Sequence, residues 1–264
     1  MDYAGTHLAP LPQLITNVKY FQSTVLSNIQ LTDDIFVVQV VRHGAPVSAG
    51  QFFMLKCWDK ELTLMRPISV YQATEETLSF MYRVVGEGTR RLSQLQKGDA
   101  ISLLGGLGNG YPLDQLHGHI AVVGGGVGIP PLSLTARMLQ AQGETVDAYL
   151  GYRDQLFAIE AFEPYCRDIF VSSEHGPEGY RGFITDLLKA EQYDAVLTCG
   201  PEVMMRKVAQ LCAEKQVTCW CSMEHRMACG IGACLGCSIP TSEGMKRVCK
   251  DGPIFLSTHL FQEV

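Results

Sequence analysis

The stretch VVGGGVGIPPL, Val122–Leu132, marks a point where a buried strand gives way to a helix. Its apolar start indicates the strand, and the glycines that follow permit close approach of the backbone to a phosphate. Pro130 and Pro131 suit the first turn of the helix. The pattern is not GxGxxG, because Ile129 stands where the last glycine would fall. The simple dinucleotide-binding fingerprint is therefore missing.

Strand and helix patterns alternate around and after this stretch. HIAVVGGG, VDAYLGYR, DIFVSS and AVLTCG are typical of strands, whereas PPLSLTARMLQAQG, TDLLKAE and PEVMMRKVAQLCAEK are typical of helices. The alternation predicts a parallel α/β sheet. A second strand end, LTCGPEVM at Leu197–Met204, combines a glycine with a helix-initiating proline at the edge where such sheets bind ligands.

The residues before this part have a different pattern. Between Thr24 and about Leu104, short runs are rich in β-branched and aromatic residues: DIFVVQVV, GQFFMLKC, RPISVYQA, TLSFMYRVV and DAISLLG. Their close spacing predicts an antiparallel sheet or small barrel. One helix, GTRRLSQLQ, interrupts it, with Thr89 as the expected N-cap and Gly98 just beyond its end.

Composition limits the function classes. The chain has 264 residues, 47% hydrophobic, and a net charge of -6 with scattered Lys and Arg, so we expect no nucleic-acid partner. It has no apolar run of about 18 residues, and its N-terminus lacks the pattern of a signal peptide. We therefore expect a soluble cytoplasmic protein without a membrane partner. His117, His119 and His175 are predicted to be solvated surface residues.

Ten cysteines are many for a cytosolic chain, so some should be metal ligands or catalytic. Cys229, Cys234 and Cys237 follow the spacing CxxxxCxxC, and Cys249 comes later, which is the plant-type [2Fe–2S] arrangement. Zinc sites more often use two CxxC pairs. Zinc and unliganded thiols remain alternatives to an iron–sulfur cluster.

A cluster of this kind passes single electrons and a nicotinamide exchanges a hydride, so a chain that contains both needs a flavin. The segment RPIS, Arg66–Ser69, offers a cation for a pyrophosphate and a hydroxyl for the flavin ring. MYR follows at Met81–Arg83, and GEGT at Gly86–Thr89 opens the helix, where free N–H groups suit a phosphate. The alternative is a strand-entry turn with a solvated arginine.

The whole order of motifs resembles the ferredoxin reductase superfamily. Within it, the chain is similar to the electron transfer subunits of NAD-dependent (class 1B) dihydroorotate dehydrogenases, most specifically in MEHRMACGIGACLGC and CKDGPIF. The resemblance implies a flavin-binding β-barrel domain at 1–113, a parallel α/β NAD-binding domain at 114–218 and a small [2Fe–2S] domain at 219–264.

The resemblance also implies the site residues. The residues implied for FAD are Arg66, Pro67, Ile68, Ser69, Met81, Tyr82, Arg83, Gly88 and Thr89. Those implied for NAD are Gly124, Gly125, Gly126, Gly128, Cys199, Gly200 and Pro201. The implied cluster ligands are Cys229, Cys234, Cys237 and Cys249. Many superfamily members have Tyr in place of Ile68, Cys199 could be plain packing, and Arg153 lies where a 2′-phosphate of NADP could bind.

The implied function is an NAD-linked oxidoreductase relay in pyrimidine biosynthesis. A partner subunit with FMN would oxidise dihydroorotate, and electrons would pass through the cluster and FAD to NAD, in a heterotetramer of two catalytic and two electron transfer subunits. The activity would appear only with that partner. Alternatives are a subunit of a glutamate synthase-like, sulfide dehydrogenase-like or electron-bifurcating complex, a stand-alone reductase, and a zinc-stapled structural subunit.

Overall fold

The computed structural model describes residues 18–261. Its first part is a closed antiparallel barrel, as the sequence predicted. The strands are β1 (Lys19–Gln30), β2 (Ile35–Val41), β3 (Phe52–Lys56), β4 (Arg66–Ala73), β5 (Thr77–Arg83) and β6 (Ala100–Leu107). They lie in the order β1-β2-β5-β4-β3-β6, and β6 closes the barrel by pairing with β1. The alternating inward residues form the barrel core, in which the rings of Phe53 and Phe80 meet edge to face at 5.5 Å.

Helix α1 (Glu87–Ser93) lies between β5 and β6. Its N-cap is Gly86, so the prediction of Thr89 as the N-cap is wrong. Thr89 is the third helical residue, and its hydroxyl accepts hydrogen bonds from the Val85 and Gly86 N–H groups at 3.0 and 3.2 Å. The side chain thus closes the turn that precedes the helix.

The second part is a mainly parallel sheet with helices on its faces. Its elements are β7 (His119–Gly125), α2 (Pro130–Ala141), β8 (Thr145–Tyr152), β9 (Asp168–Ser173), β10 (Tyr180–Arg181), β11 (Ala195–Cys199), α3 (Glu202–Glu214) and β12 (Thr218–Ser222). The predicted helix TDLLKAE is wrong, because that segment forms only two short 3₁₀ turns, Ile184–Asp186 and Ala190–Gln192.

The C-terminal elements are β13 (Ser238–Thr241), β14 (Gly244–Arg247), β15 (Ile254–Leu256) and α4 (Ser257–Leu260). β13 and β14 form a hairpin, whereas β15 pairs antiparallel with β12 and completes the seven-stranded order β10-β9-β8-β7-β11-β12-β15. Strand β12 spans the predicted boundary between 218 and 219. The domain limits stay predictions, and their outermost residues, 1–17 and 262–264, lie outside the described residues. Among the helices of residues 18–261, none combines the length and apolar character needed to cross a bilayer.

Helix α2 fixes the sheet domain to the barrel. The Gln72 side-chain amide of β4 donates to the Ser133 hydroxyl at 2.8 Å, and that hydroxyl is within 3.2 Å of the Tyr71 carbonyl. The Arg137 guanidinium donates to the Ala73 carbonyl. The strand that begins with Arg66 is therefore held at its other end by helix α2 of the sheet domain.

A buried polar network holds the amino ends of the sheet strands. Asp147 is 1% exposed, and its carboxylate accepts hydrogen bonds from His119 Nε2 at 2.9 Å, Arg167 Nη2 at 2.7 Å and Tyr193 Oη at 3.0 Å. The hydroxyls of Tyr149 and Tyr193 are 2.7 Å apart. The prediction that His119 is a solvated surface residue is wrong, because its ring lies against this buried carboxylate.

Substitution Tyr193→Phe should lower the free energy of unfolding by about 1–3 kcal/mol, because it removes a donor to Asp147 and leaves the Tyr149 hydroxyl without its acceptor. Urea unfolding followed by circular dichroism measures the change. The matched control is Tyr20→Phe, whose exposed hydroxyl bonds only Ser102 and should change stability by less than about 0.5 kcal/mol. Equal changes in the two variants would contradict the importance of the buried network.

Candidate functional site

The four predicted cluster ligands lie together in the structure as two pairs of thiols. Cys229 is adjacent to Cys234, and Cys237 to Cys249. Backbone N–H groups point at the sulfurs: Gly232 N lies 3.1 Å from Cys249 Sγ, and Cys249 N lies 3.4 Å from Cys237 Sγ. In residues 18–261, no three Cys, His, Asp or Glu side chains converge on the position of a single metal ion. Two adjoining thiol pairs fit a two-iron cluster with two thiolates for each iron.

The two pairs differ in their surroundings. Burial opposes ionisation of Cys229, but the N–H groups of Cys234, Ile231 and Ala233 and the neighbouring thiol lower its pKa to about 7. Burial, together with the adjacent Cys237 thiol, raises the pKa of Cys249 to about 12. One pair therefore lies toward solvent, with Cys234 exposed, and the other lies inside.

The cysteine loop packs against the barrel. Gly230 leaves no room for a side chain, since a Cβ there would lie 2.8 Å from Met54 Cγ and 3.2 Å from Leu107 Cδ1. Met54 is the direct partner of Pro67 in the pairing of β3 with β4. The loop is thus one strand away from the RPIS segment.

Arg66 is the first residue of β4, and its guanidinium lies beside the start of α1, where a pyrophosphate site needs a cation. A Cβ on Gly88 would lie 2.5 Å from Arg66 Nε, so the guanidinium covers the first helical turn. Its Nη1 donates to the Leu64 carbonyl at 2.6 Å, and its Cζ lies 5.3 Å from the centre of the Trp58 ring. Among residues 18–261, Arg66 has no carboxylate partner and its Nε and Nη2 make no hydrogen bond. A fixed cation with a free edge at a helix start fits a phosphate group.

The other residues implied for FAD fall into two groups. The Tyr82 side chain is buried in the barrel core, with its hydroxyl 3.2 Å from Asn28 Oδ1, and Ile68 also packs against that core. Pro67 and Ser69 are half-buried, and Met81 contacts the apolar core of the sheet domain. Arg83 is the most exposed of the β5 residues and pairs with Asp34 at 3.0 Å. Tyr82 thus offers only its backbone to a ligand outside the barrel.

The two glycine-containing strand ends of the sheet domain pack directly on each other. A Cβ on Gly128 would lie 2.3 Å from the Cys199 carbonyl oxygen, and one on Gly200 would lie 2.9 Å from Gly125 N. The Cys199 thiol is fully buried, and burial followed by the charge of Glu224 raises its pKa. The thiol is therefore a packing group, while the backbone of the two loops forms the surface at the switch point between β7 and β11.

A cleft of about 950 Å³ lies between these loops and the barrel. Of the predicted residues it contains Gly125, Gly126 and Pro201, together with Arg83 and Arg153. Ser172 lies in the wall of the cleft, and its hydroxyl is buried beneath the surface with no partner among the described residues. A cleft of this volume at the carboxyl ends of parallel strands fits a dinucleotide.

Several cleft residues were not predicted from the sequence. They come from the turn before β2, from the ends of β8 and β9, and from the loop before β11: Thr32, Asp33, Tyr152, Gln155, Ser172, Glu174, Phe183 and Thr185. Only the general rule that ligands bind at the carboxyl ends of parallel strands could have indicated these positions.

Comparison with protein families and curated proteins gives consistent matches. Residues 224–261 match the model of the iron–sulfur cluster binding domain of dihydroorotate dehydrogenase B. The dihydroorotate dehydrogenase B (NAD(+)) electron transfer subunit of Clostridium acetobutylicum is 43% identical over 242 residues, which cover 92% of this chain and 97% of the relative. The subunit of the same name from Clostridium perfringens is 40% identical over 240 residues, with 90% and 96% covered.

Solved structures share the fold. An NADH-dependent reduced ferredoxin-NADP oxidoreductase, described for flavin-based electron bifurcation, matches with a TM-score of 0.82 and 26% identity over 90% of this chain and 88% of that one. The ferredoxin reductase in carbazole 1,9a-dioxygenase matches with a TM-score of 0.65 and 18% identity, over 78% of this chain and 68% of that one. The second likeness concerns the fold alone.

The free edge of Arg66 leads to a test of the pyrophosphate site. Substitution Arg66→Gln should weaken FAD binding to the apoprotein about tenfold to a hundredfold, the range expected for loss of charge-assisted hydrogen bonds, while the iron content stays unchanged. Fluorescence titration with FAD measures the affinity. Arg90→Gln, on helix α1, is the matched control, because the Arg90 guanidinium already pairs with Glu87. An unchanged FAD affinity of the Arg66 variant would contradict the assignment.

Proposed function

The chain belongs to the family of dihydroorotate dehydrogenase B electron transfer subunits, and from this premise we propose that it carries electrons between a catalytic subunit that oxidises dihydroorotate and NAD. The observation that carries the proposal is the placement of the two thiol pairs against the barrel strand next to Arg66–Ser69. The cysteines that fit a cluster and the segment that fits a flavin therefore lie against the same barrel. The chain is thus an NAD-linked oxidoreductase subunit whose dihydroorotate dehydrogenase activity requires its partner.

When bound, FAD exchanges hydride with a nicotinamide and single electrons with an iron–sulfur cluster, and no amino-acid side chain supplies that conversion. The chain's own residues bind and orient. Arg66 and the turn Gly86–Thr89 hold the pyrophosphate, and Ser69 presents its hydroxyl on the half-buried outer side of β4. Thr89 keeps the turn closed through its bonds to Val85 and Gly86.

Cys229, Cys234, Cys237 and Cys249 hold the [2Fe–2S] cluster. The N–H groups of Gly232 and Cys249 donate to two of the sulfurs, and such bonds stabilise thiolate charge. The lowered pKa of Cys229 favours its thiolate form near neutral pH. The loop therefore prepares part of its ligand set before metal arrives.

The cleft holds NAD across the two glycine loops, Gly124–Gly128 and Cys199–Pro201. The cleft is lined by more acidic than basic side chains, and Arg153 lies 3.6 Å from Asp154. The five acidic residues are Asp33, Asp34, Asp154, Glu174 and Asp186, and the three basic ones are Arg83, Arg153 and Lys207. These carboxylates suit ribose hydroxyls and repel a 2′-phosphate. The charge of the cleft thus supports NAD over NADP.

The pyrimidine chemistry belongs to the partner in this proposal. The described residues form the barrel, the sheet and the cysteine segment, and they provide no further folded unit for a pyrimidine. The partner is an FMN-containing catalytic subunit, and the family resemblance implies an assembly of two catalytic and two electron transfer subunits.

The partner's docking surface is the face around the cysteine loop. Leu235 and Met245 are exposed there by 62% and 65%, and Ile231 by 39%, next to the exposed Cys234. Leu235 also has a φ of 61°, a conformation that a bulky side chain adopts only at a cost. An apolar side chain that is both exposed and strained supports a role in protein contact.

A cytoplasmic location is part of the proposal. None of the ten cysteines, all within residues 18–261, forms a disulfide, and this state fits a reducing compartment.

The second candidate function is that of a subunit in an electron-bifurcating complex. The TM-score of 0.82 to an NADH-dependent reduced ferredoxin-NADP oxidoreductase over 90% of the chain favours it. The two functions share every site in this chain and differ in the partner that supplies the electrons.

Anaerobic reconstitution tests the proposed function. The purified chain is mixed with an FMN-containing dihydroorotate dehydrogenase subunit from the same source. Reduction of NAD by dihydroorotate is followed by the absorbance of the NADH that forms. We expect NADH only when both proteins are present. A chain that oxidises NADH with ferricyanide but never couples to dihydroorotate would support the bifurcating candidate instead.

Substitution Cys249→Ser separates the cluster from the flavin. Transfer between the partner and NAD should fall to the level measured without the chain, because one of four thiolates is lost, whereas FAD content and NADH–ferricyanide activity should stay within about twofold. Cys57→Ser, a half-buried cysteine of the barrel domain, is the control and should retain transfer. Equal loss of both activities in the Cys249 variant would mean that the cysteine is structural.

Substitution Leu235→Asp tests the docking face. It should weaken binding of the catalytic subunit at least about tenfold, because it places a charge in an apolar contact, and Asp tolerates the left-handed backbone better than Leu. Sedimentation or surface plasmon resonance with the partner measures the affinity, and FAD and iron contents serve as folding checks. Ile29→Asp, at an exposed site on β1, is the matched control. Equal affinities of the two variants would place the partner elsewhere.

A further inference from the structure

Asn109 connects the end of the barrel to the segment that follows the fourth cysteine. Its side-chain Nδ2 donates to the Ile254 carbonyl at 2.8 Å and the Asp251 carbonyl at 3.3 Å, and its Oδ1 accepts from Ile254 N at 3.1 Å. Its backbone N donates to the Gly252 carbonyl at 2.7 Å. The side chain therefore uses both its donor and its acceptor group on partners 142 and 145 positions away in the sequence.

The segment that Asn109 holds is bound in turn to the cysteine loop. Asp251 forms a two-bonded ion pair with Arg247, both N···O distances being 2.9 Å. Arg247 Nη1 also donates to the Gly232 carbonyl at 3.2 Å. Arg247 thus links the loop of the first three cysteines to the segment that begins with Cys249.

On its other side, Gly108, the residue before Asn109, is bound through Gln51 to β4, the strand that begins with Arg66–Ser69 and is called the flavin strand below. The Gln51 side chain donates to the Gly108 carbonyl at 2.9 Å, and the Gln51 carbonyl accepts from Val70 N at 3.0 Å. Val70 directly follows Ser69 on β4. Gly108 lies so close to Pro253 that a Cβ would be 2.3 Å from its Cδ. Hydrogen bonds and the short pieces of chain between them therefore link the flavin strand through Gln51, Gly108 and Asn109 to the cysteine loop.

We propose that Asn109 is a positioning residue for electron transfer, which fixes the cluster segment at one distance and orientation from the flavin strand. The proposal rests on the proposed function, because it takes the two sites to be those of the cluster and the flavin. Asn109 touches neither thiol nor flavin motif and acts through the segment 251–254. Without its side chain, the barrel keeps one backbone bond to Gly252 and the contacts of Gly50 and Gly108 with the segment, and β12 still pairs with Ile254. The segment thus loses its three side-chain hydrogen bonds to the barrel end, and its position relative to the barrel becomes less fixed, while the four cysteines keep their local loop.

The experiment uses the full-length protein loaded with FAD and cluster, in wild-type form and as Asn109→Leu and Asn109→Asp. Leu has a similar volume without hydrogen bonds, and Asp keeps the acceptor but turns the donor into a second acceptor facing two carbonyl oxygens. Stopped-flow mixing with NADH under anaerobic conditions gives the rate constant and amplitude of cluster reduction. Iron content, FAD content, the electron paramagnetic resonance signal of the reduced cluster and NADH–ferricyanide activity are measured on the same samples. Asn28→Leu, in the barrel, is the matched control for loss of an asparagine that also bonds two carbonyls.

We expect the rate constant of cluster reduction to fall at least about tenfold in both Asn109 variants, since small displacements of reacting groups cost one or two orders of magnitude. Iron, FAD, the resonance signal and ferricyanide activity should match the wild type, and Asn28→Leu should keep the wild-type rate constant of cluster reduction.

Two results would overturn the inference. One is an unchanged rate constant in Asn109→Leu with full cofactor content. The other is a loss of iron in which only the amplitude of reduction falls and the remaining molecules react at the wild-type rate, because Asn109 would then serve cluster retention alone. A wild-type cluster that NADH does not reduce would instead overturn the proposed function, and the inference with it.

Discussion

The contact between Gly230 and strand β3 is the constraint on which the arrangement of sites depends. A side chain at position 230 would collide with Met54, so the cysteine loop reaches the barrel only through bare backbone. Met54 pairs with Pro67, so the same contact sets the separation between the loop and the RPIS segment. The Arg247–Asp251 ion pair and the hydrogen bonds of Asn109 hold the segment after Cys249 in a position compatible with that contact. The cysteine loop, Cys249 and the barrel thereby form one packed unit.

The two ends of the parallel strands differ in their polar groups. Those at the amino ends bond to one another, whereas the carboxyl ends face the cleft. At the amino ends, the buried Asp147 gathers His119, Arg167 and Tyr193, and each polar group has a partner there. At the carboxyl ends, the buried hydroxyl of Ser172 has no partner among the described residues. An unpaired buried hydroxyl costs free energy, so this edge of the sheet is less completely hydrogen-bonded than the edge around Asp147.

The sequence predicted those elements in which local pattern and tertiary packing agree. The glycine turn after β7 and the cysteine spacing belong to this group, because their chemistry lies within a few residues. Strand β1 lies outside every run from which a strand was predicted, because few of its side chains are fully buried and its alternation is weak. The segment TDLLKAE is too short to offset helix nucleation, and packing of its apolar residues against the sheet favours 3₁₀ turns. The role of Asn109 leaves no local pattern, because its partners are more than 140 positions away.

The order of strands in the barrel explains how one chain serves a nucleotide and a protein partner at once. Strand β4, which begins with Arg66–Ser69, lies between β5 and β3. β5 ends at Arg83, which lines the nucleotide cleft, whereas Met54 of β3 contacts the cysteine loop. In the proposed assignment, the flavin strand therefore has the nucleotide site on one side and the cluster site on the other. Because the exposed Leu235 belongs to the cysteine loop and the cleft opens beside β5, the proposed docking face and the proposed dinucleotide site are different surfaces of the chain, so the two partners need not compete.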